Sequence, residues 1–356
     1  MKVKKVLSML LVFVMTVMIV ACNNQGAVQE ESPAAPEGKP AEIEEAEEPA
    51  KKPDKQYVLK HCHVLAATEP FNQGFLNWAK AVDERTNGGL KIEVFPAGQM
   101  GVEEDLLEQA KEGVNVGHNT DSARLGMYVE EIAVMNGPYF VADLDEVLKL
   151  KDSPTLQAYI DEVEGYGLKV LSYNWVQTHR QFFTNVEINK PEDLKGLRIR
   201  TPGSPIWQES VRALGAEPVA MNFGEMYSGI QQGAVDGAEL VYANIPGGKL
   251  NEVLSYANET DHILLINFQV CSADWFNSLP EEYQIILVEE CDKAGLETSQ
   301  QMEANVEKIK TDLLAAGMTI NEDCDVEAFK AAGESAYEVL GLTEVKAKIW
   351  EEIGKK

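Results

Sequence analysis

The chain has 356 residues, is 45% hydrophobic and carries a formal net charge of −27. That length suits about two domains of ordinary size. So acidic a surface repels phosphate backbones and argues against a nucleic-acid partner, but it leaves room for a small anionic ligand if a cleft is locally positive.

The chain opens with Lys2, Lys4 and Lys5 and an apolar run from Val6 to Val20. That run is too short for a comfortable membrane span of roughly 20 residues. It ends in Ile19-Val20-Ala21-Cys22. Basic start, short apolar stretch and small residues before a cysteine resemble a bacterial lipoprotein signal, in which the cysteine is lipidated and becomes the new N-terminus. Residues 1–21 are therefore expected to be a signal peptide and Cys22 a lipidation site, which places the folded part outside the cytoplasm and anchored to the cell membrane. The stretch 22–56 is rich in Pro, Ala and Glu with almost no large apolar residue. It cannot bury enough surface to fold, and is expected to be a disordered tether.

Folded sequence begins near Tyr57. YVLKHCHV alternates and carries β-branched and aromatic residues, so it reads as a strand. Phe71, Phe75, Trp78, Ala79 and Val82 have helical spacing, closed by Asn87-Gly88-Gly89. LKIEVF is a second strand, followed by a helix from about Val102 to Glu112. The segments VNVGHN, LKVLSYN, LRIRT and VDGAEL then read as strands between helices. This alternation implies an α/β fold with mostly parallel sheets. Pro280–Ala315, Asp325–Leu340 and Glu344–Glu352 read as helices.

No nucleotide-binding loop, nucleophile elbow or zinc-protease motif occurs. His61 and His63 flank Cys62, but on a strand the histidines share one face and the cysteine points to the other. The three cannot chelate one ion, so no metal is expected and a structural or cleft-lining role is favoured for the histidines. Cys62, Cys271, Cys291 and Cys324 lie in apolar, element-like contexts and read as buried thiols. Arg180 and Arg200 stand out more. Each ends an apolar stretch, Arg180 after LKVLSYNW and a polar step, Val176 to His179, and Arg200 on LRIRT, before the turn Thr201–Pro205 into a helix. A guanidinium is always charged and its planar fork matches a carboxylate, so such a pair suits an anion site; a surface ion pair is the alternative.

The stretch PEDLKGLRIRTP…GAEPVAMNFGEMYSGIQQGAVDGAE, with KIEVFPAGQMGVEEDLLEQAKEG and DSARLG upstream, is similar to the solute-binding proteins of tripartite ATP-independent periplasmic (TRAP) transporters. The likeness runs from Tyr57 to about Leu287. It implies a hinged, two-lobed fold that closes over one small ligand, usually an organic acid. Lobe I would comprise 57–177 plus about 266–305, and lobe II 178–265 plus about 306–356. The resemblance makes Arg200 the main carboxylate-binding residue and Arg180 its neighbour. It puts Asp121, with Arg124 nearby, in the first lobe's wall, and Phe223 in the second, with Glu225 and Tyr227 beyond. Where relatives often carry Asn after Asp-Gly-x-Glu, this chain has Leu240. Trp175, Trp207, Tyr242 and His63 complete the candidate pocket, and the apolar Leu240 implies a monocarboxylate with a partly apolar body.

The function implied is capture of a carboxylate, without cofactor, and its delivery to the membrane subunits of an ion-gradient-driven transporter by a monomeric protein. A ligand-presenting sensory receptor is the alternative from the same fold. A secreted enzyme acting on small acids would need a nucleophile, metal or cofactor motif that the chain lacks.

Overall fold

The computed structural model describes residues 55–355. The expected signal peptide, Cys22 and nearly all of the tether lie outside that range. Nine strands of the described residues form one sheet: β1 (Tyr57–Cys62), β2 (Leu90–Phe95), β3 (Val116–Asp121), β4 (Leu168–Thr184), β5 (Arg198–Thr201), β6 (Glu217–Ala220), β7 (Gly237–Val241), β8 (Tyr256–Ser272) and β9 (Thr319–Asn321). Their order is β2-β1-β3-β8-β4-β7-β5-β6, with β9 beside the start of β8.

Helices between the strands make this the expected α/β architecture, with one correction. Parallel pairing joins β1 to β2 and β3, β5 to β6 and β7, and β9 to β8, but the centre is antiparallel: β3–β8, β8–β4 and β4–β7. The parallel groups flanking this centre are the cores of two lobes, and the 17-residue strands β4 and β8 run through both. The lobe boundaries expected at 177/178 and 265/266 fall inside these continuous strands. β8 escaped the sequence reading because its second half is buried on both faces, and such a strand shows no alternation. β4 likewise continues through the polar step Val176–His179 to Thr184, so Arg180 lies within a strand.

Where the two strands cross between lobes, their pairing is irregular. Val176 and His179 face Ile266 and Leu264, so β4 carries one extra residue at 177–178. Thr178 there has φ of 83°, and Asp261 on β8 has φ of 46°. A β-branched residue in the left-handed region is strained. Gln181 spans the irregularity, receiving the Asp261 N–H at 2.8 Å and donating to its carboxylate at 2.5 Å. Such bulges bend a strand and re-aim its side chains.

The helix Glu281–Ala315 backs both lobes. Near its start Leu287 O accepts from Trp78 Nε1 at 3.1 Å. At mid-length Ser299 Oγ accepts from Val176 N (2.7 Å) and donates to Asn174 O (2.8 Å). Further on, Leu313 joins the second lobe's core with Met226, Leu240 and Leu254. The last helix, Thr343–Glu352, was expected with the second lobe; it docks instead on residues 138–155. Glu352 accepts from Thr155 Oγ1 at 2.6 Å, and Trp350 Nε1 donates to Phe140 O at 2.9 Å. The four cysteines of the described residues are free, three of them buried. Among those residues no helix is long and apolar enough to cross a membrane.

Gly295 is where the long helix meets β4. A Cβ there would lie 2.1 Å from Asn174 Oδ1 and 2.6 Å from Trp175 Nε1. Gly295→Ala should therefore cost about 1–3 kcal/mol in urea denaturation, the usual range for overpacking. Gly165→Ala, at a position with nothing within 4 Å, should be neutral or stabilise by up to ~1 kcal/mol.

Candidate functional site

The parallel strands of both lobes deliver their C-terminal ends to one place, as ligand sites in such sheets require. Asp121 closes β3, Val64 and Leu65 follow β1, Pro202 follows β5, Phe223 follows β6, and Leu240 sits near the end of β7. Together with Arg124, Arg180, Arg200 and Trp207 these residues line an interlobe cavity of about 50 Å3. Two recesses of about 470 and 300 Å3 share walls with it along the seam, one at Arg124 and Pro202, the other at Glu103 and Phe223.

Three arginines meet here, and their bonding differs. Arg180 is buried, and its Nε donates to the Glu239 carboxylate while Nη2 donates to Glu239 O at 2.6 Å. Glu239 also accepts from Thr201 Oγ1 at 2.8 Å. Burial alone would push the Glu239 carboxyl up, but Arg180 and His262 together outweigh it and hold the pKa at about 2. Arg124 is paired on every side, with Asp121, with Glu103 at 2.5 Å and with Glu104 at 3.0 Å. Burial opposes its charge too, and the three carboxylates overcome that.

Arg200 is only 2% exposed, yet its sole hydrogen bond among the described residues runs from Nε to Met221 O at 2.9 Å. No carboxylate of those residues lies within ion-pair distance. Its guanidinium stands 5.9 Å from the centre of the Phe223 ring. Burial drops its pKa to about 10, with Arg180 and Arg124 pushing the same way and Glu239 and Glu103 opposing. It is still a cation at neutral pH, desolvated and with its planar fork unclaimed, an arrangement with the chemistry to accept a carboxylate.

Trp207 lies against Arg180, ring centre to guanidinium 4.7 Å, and its buried indole N–H has no partner among the described residues. The cavity wall also holds four carboxamides the sequence reading passed over: Asn119, Gln177, Asn244 and Asn267. Asn119 donates to Asn267 at 3.3 Å and accepts from Gln269 at 2.7 Å, and Asn267 donates to Trp175 O at 3.2 Å. Gln177 sits on the β4 bulge, which turns it to the cavity. Glu103 was missed as well. A single polar residue within a strand or loop carries no periodic signal; Gln177 became notable only with the bulge.

Arg200, Arg180, Asp121, Phe223, Leu240 and Trp207 are brought together on this cavity, while three candidates are not. Trp175 is stacked on Phe75 at 4.8 Å in the first lobe's aromatic core. His63 is in that core too, 4.9 Å from Phe75, with Nε2 bonded to Asn72 at 2.9 Å; burial lowers its pKa to about 4. Tyr242 packs on Phe183 and donates to Glu259 at 2.8 Å, one residue past the end of β7 and on the core side. All three are large side chains that the lobe cores needed. The apolar ligand body inferred from Leu240 also loses force, since amides elsewhere on the wall offset that position.

The profile of the family described as bacterial extracellular solute-binding protein, family 7, matches residues 61–342. One relative, the C4-dicarboxylate-binding periplasmic protein DctP of Rhodobacter capsulatus, is 26% identical across 83% of this chain and 84% of its own length. Among solved structures, a TRAP periplasmic solute-binding protein of Ochrobacterium anthropi with bound L-fuconate gives a TM-score of 0.81 at 27% identity, covering 84% of this chain and 99% of that one. One from Escherichia fergusonii, open and ligand-free, is 33% identical and gives 0.74, covering 83% and 99%. The chain superposes better on the ligand-bound protein than on the open one, although the open one is nearer in sequence.

The unequal bonding of the arginines predicts unequal stability costs. Glu239→Gln strands Arg180 as a buried unpaired cation and should destabilise the protein by about 3–5 kcal/mol. Arg200→Met removes a cation with no carboxylate partner and should change ligand-free stability by less than ~1 kcal/mol or raise it. Urea denaturation of both variants reads this out. Because the Glu239 pKa is depressed, the pair's contribution is complete above pH 4.5 and fades as pH falls toward 2.

Proposed function

The chain belongs to family 7 of the bacterial extracellular solute-binding proteins, and from that premise we propose that Arg200 is its carboxylate clamp. Proteins of this family are solute-capturing components of transporters, not enzymes, and this chain captures a small organic acid for TRAP transport. The observation that carries the residue assignment is the buried Arg200 guanidinium, which no protein carboxylate neutralises.

The ligand carboxylate pairs bidentately with the free nitrogens of Arg200, opposite the wall formed by Asp121 and Asn119. Arg180, already spent on Glu239, packs against Trp207 and frames the cavity wall. With the lobes apart, water solvates Arg200. Closure removes that water, and without an anion it would leave a buried bare cation, a penalty on the order of 3–5 kcal/mol. With a carboxylate present, the lowered local dielectric strengthens the pair instead. Closure is therefore conditional on ligand, and the two-state motion signals occupancy. The strained stretch around Thr178 on β4 and Asp261 on β8 is the hinge, dividing the lobes near residues 177 and 265.

Lipidation at Cys22 would hold the protein at the membrane, with the stretch 22–56 giving it reach to the transporter's membrane subunits as a monomer. Cys22→Ser should release the protein from membranes into the soluble extracytoplasmic fraction, read by fractionation and immunoblot.

The clamp is tested by a thermal-shift screen with sodium salts of lactate, succinate, D-erythronate, L-galactonate and D-glucuronate. An acid at 100 times its dissociation constant adds about 2.7 kcal/mol of stability. Calorimetric titration of a hit should show Arg200→Ala weakening affinity at least ~100-fold, with Arg200→Lys restoring only part, because an ammonium cannot make the planar fork. A loss under ~10-fold in Arg200→Ala contradicts the assignment.

A further inference from the structure

Glu69 is a buried carboxylate at a contact between the lobes. It precedes the helix Pro70–Arg85 in the first lobe, and its Oε1 accepts from Ala66 N at 3.2 Å. Its Oε2 accepts from Asn244 Nδ2 at 3.1 Å. Asn244 begins the helix Asn244–Gly247, which follows β7 in the second lobe. Gly247 of that helix covers the carboxylate so closely that a Cβ there would lie 2.7 Å from Oε1. Among the described residues no lysine or arginine pairs with Glu69.

Asn244 has a second face. It is buried and lines the ligand cavity beside Leu240, the position where an amide is missing. The bond from Nδ2 turns the NH2 end of the amide toward Glu69, and a carboxyl keeps an accepting oxygen for it whether ionised or neutral. The amide oxygen is then the group left on offer.

We propose that Asn244 is a selectivity residue of the binding site, presenting its amide oxygen to a hydroxyl of the ligand, and that Glu69 is its positioning residue, holding the amide from the opposite lobe. This rests on the reading of the cavity as the organic-acid site and narrows it: hydroxy acids are taken over their deoxy counterparts. A buried acceptor left without its donor is penalised, so the deoxy analogue binds more weakly than lost contact area alone implies.

The same contact ties recognition to pH. Burial lifts the Glu69 carboxyl from 4.5 to about 7, with the Ala66 and Asn244 donors pulling the other way. The helix Asn244–Gly247 brings no titratable side chain to it. Lys308 of the long helix lines the recess behind Glu69 but is paired with Asp312 at 2.5 Å. When the lobes part, Glu69 meets water and its pKa returns toward the ordinary value, so closure takes up a proton. The closed form is favoured most below pH 4.5, and that preference is lost as pH rises through about 7.

The test uses two four-carbon acids, D-erythronate and butyrate, titrated into the wild type and into Asn244→Ala, Glu69→Gln and Arg200→Ala. The wild type should bind erythronate at least ~10-fold tighter than butyrate, and tighter at pH 5.5 than at pH 8 by ~10-fold or more. Asn244→Ala should bring the two acids within ~3-fold by losing erythronate affinity alone. Glu69→Gln, which mimics the protonated acid, should keep the preference and lose the pH dependence. Thermal melts confirm that each variant is folded. The proposal is overturned if Asn244→Ala preserves the preference, if Glu69→Gln still responds to pH, or if the wild type binds both acids alike or neither. Failure of the parent reading looks different: Arg200→Ala would then leave erythronate binding intact.

Discussion

A buried charge must be paired or it destabilises whatever buries it, and the seam between the lobes is organised around that constraint. Three guanidinium groups sit there. Glu239 neutralises Arg180, and Asp121 with Glu103 neutralises Arg124, so both can remain buried whatever else the cavity holds. Arg200 has a backbone carbonyl and the face of Phe223, and nothing that cancels its charge. The stability of the closed arrangement is therefore coupled to an anion that the chain does not itself provide. With Arg200 as the proposed clamp, capture is the conversion of one unpaired internal charge into a pair.

The fold makes that coupling mechanical. β4 carries Gln177 and Arg180 and belongs to both lobes, so any movement of one lobe against the other bends the strand that holds the site. Its bulge and the left-handed Thr178 sit at the proposed bending point, and on β8 the left-handed Asp261 lies beside Gln181. The long helix behind the sheet ties the lobes through Ser299, bonded to β4, and Leu313, in the second lobe's core. On the proposed hinge the lobes close without separating, and the side chains that line the cavity come from strand ends of both lobes. On the proposed hinge, Glu69 and Asn244 belong to the same motion, since their bond joins one lobe to the other.

Much of this was legible in the residues. Strands β1, β2 and β5 announced themselves by alternation, the helices by apolar spacing and glycine stops, and Arg200 by being a charge at the end of an apolar strand. Other features depend on partners far away in sequence. Nothing near Arg180 indicates that Glu239, 59 residues on, neutralises it; that follows from β4 lying antiparallel to β7. β8 hid because it is buried on both faces. Trp175, His63 and Tyr242 looked like pocket residues because aromatic and imidazole rings serve cores and clefts equally well, and only packing separates the two. The amides Asn119, Gln177, Asn244 and Asn267 were invisible for the opposite reason: isolated polar residues have no pattern until a cavity collects them.

The most direct test of the account is a crystal structure of the protein with an acid that stabilises it. The account predicts the ligand carboxylate within hydrogen-bond distance of both terminal nitrogens of Arg200, about 2.7–2.9 Å, with the Arg180–Glu239 pair unbroken. A carboxylate seated on Arg124 or Arg180 instead, with Arg200 turned to a protein acid, would contradict it.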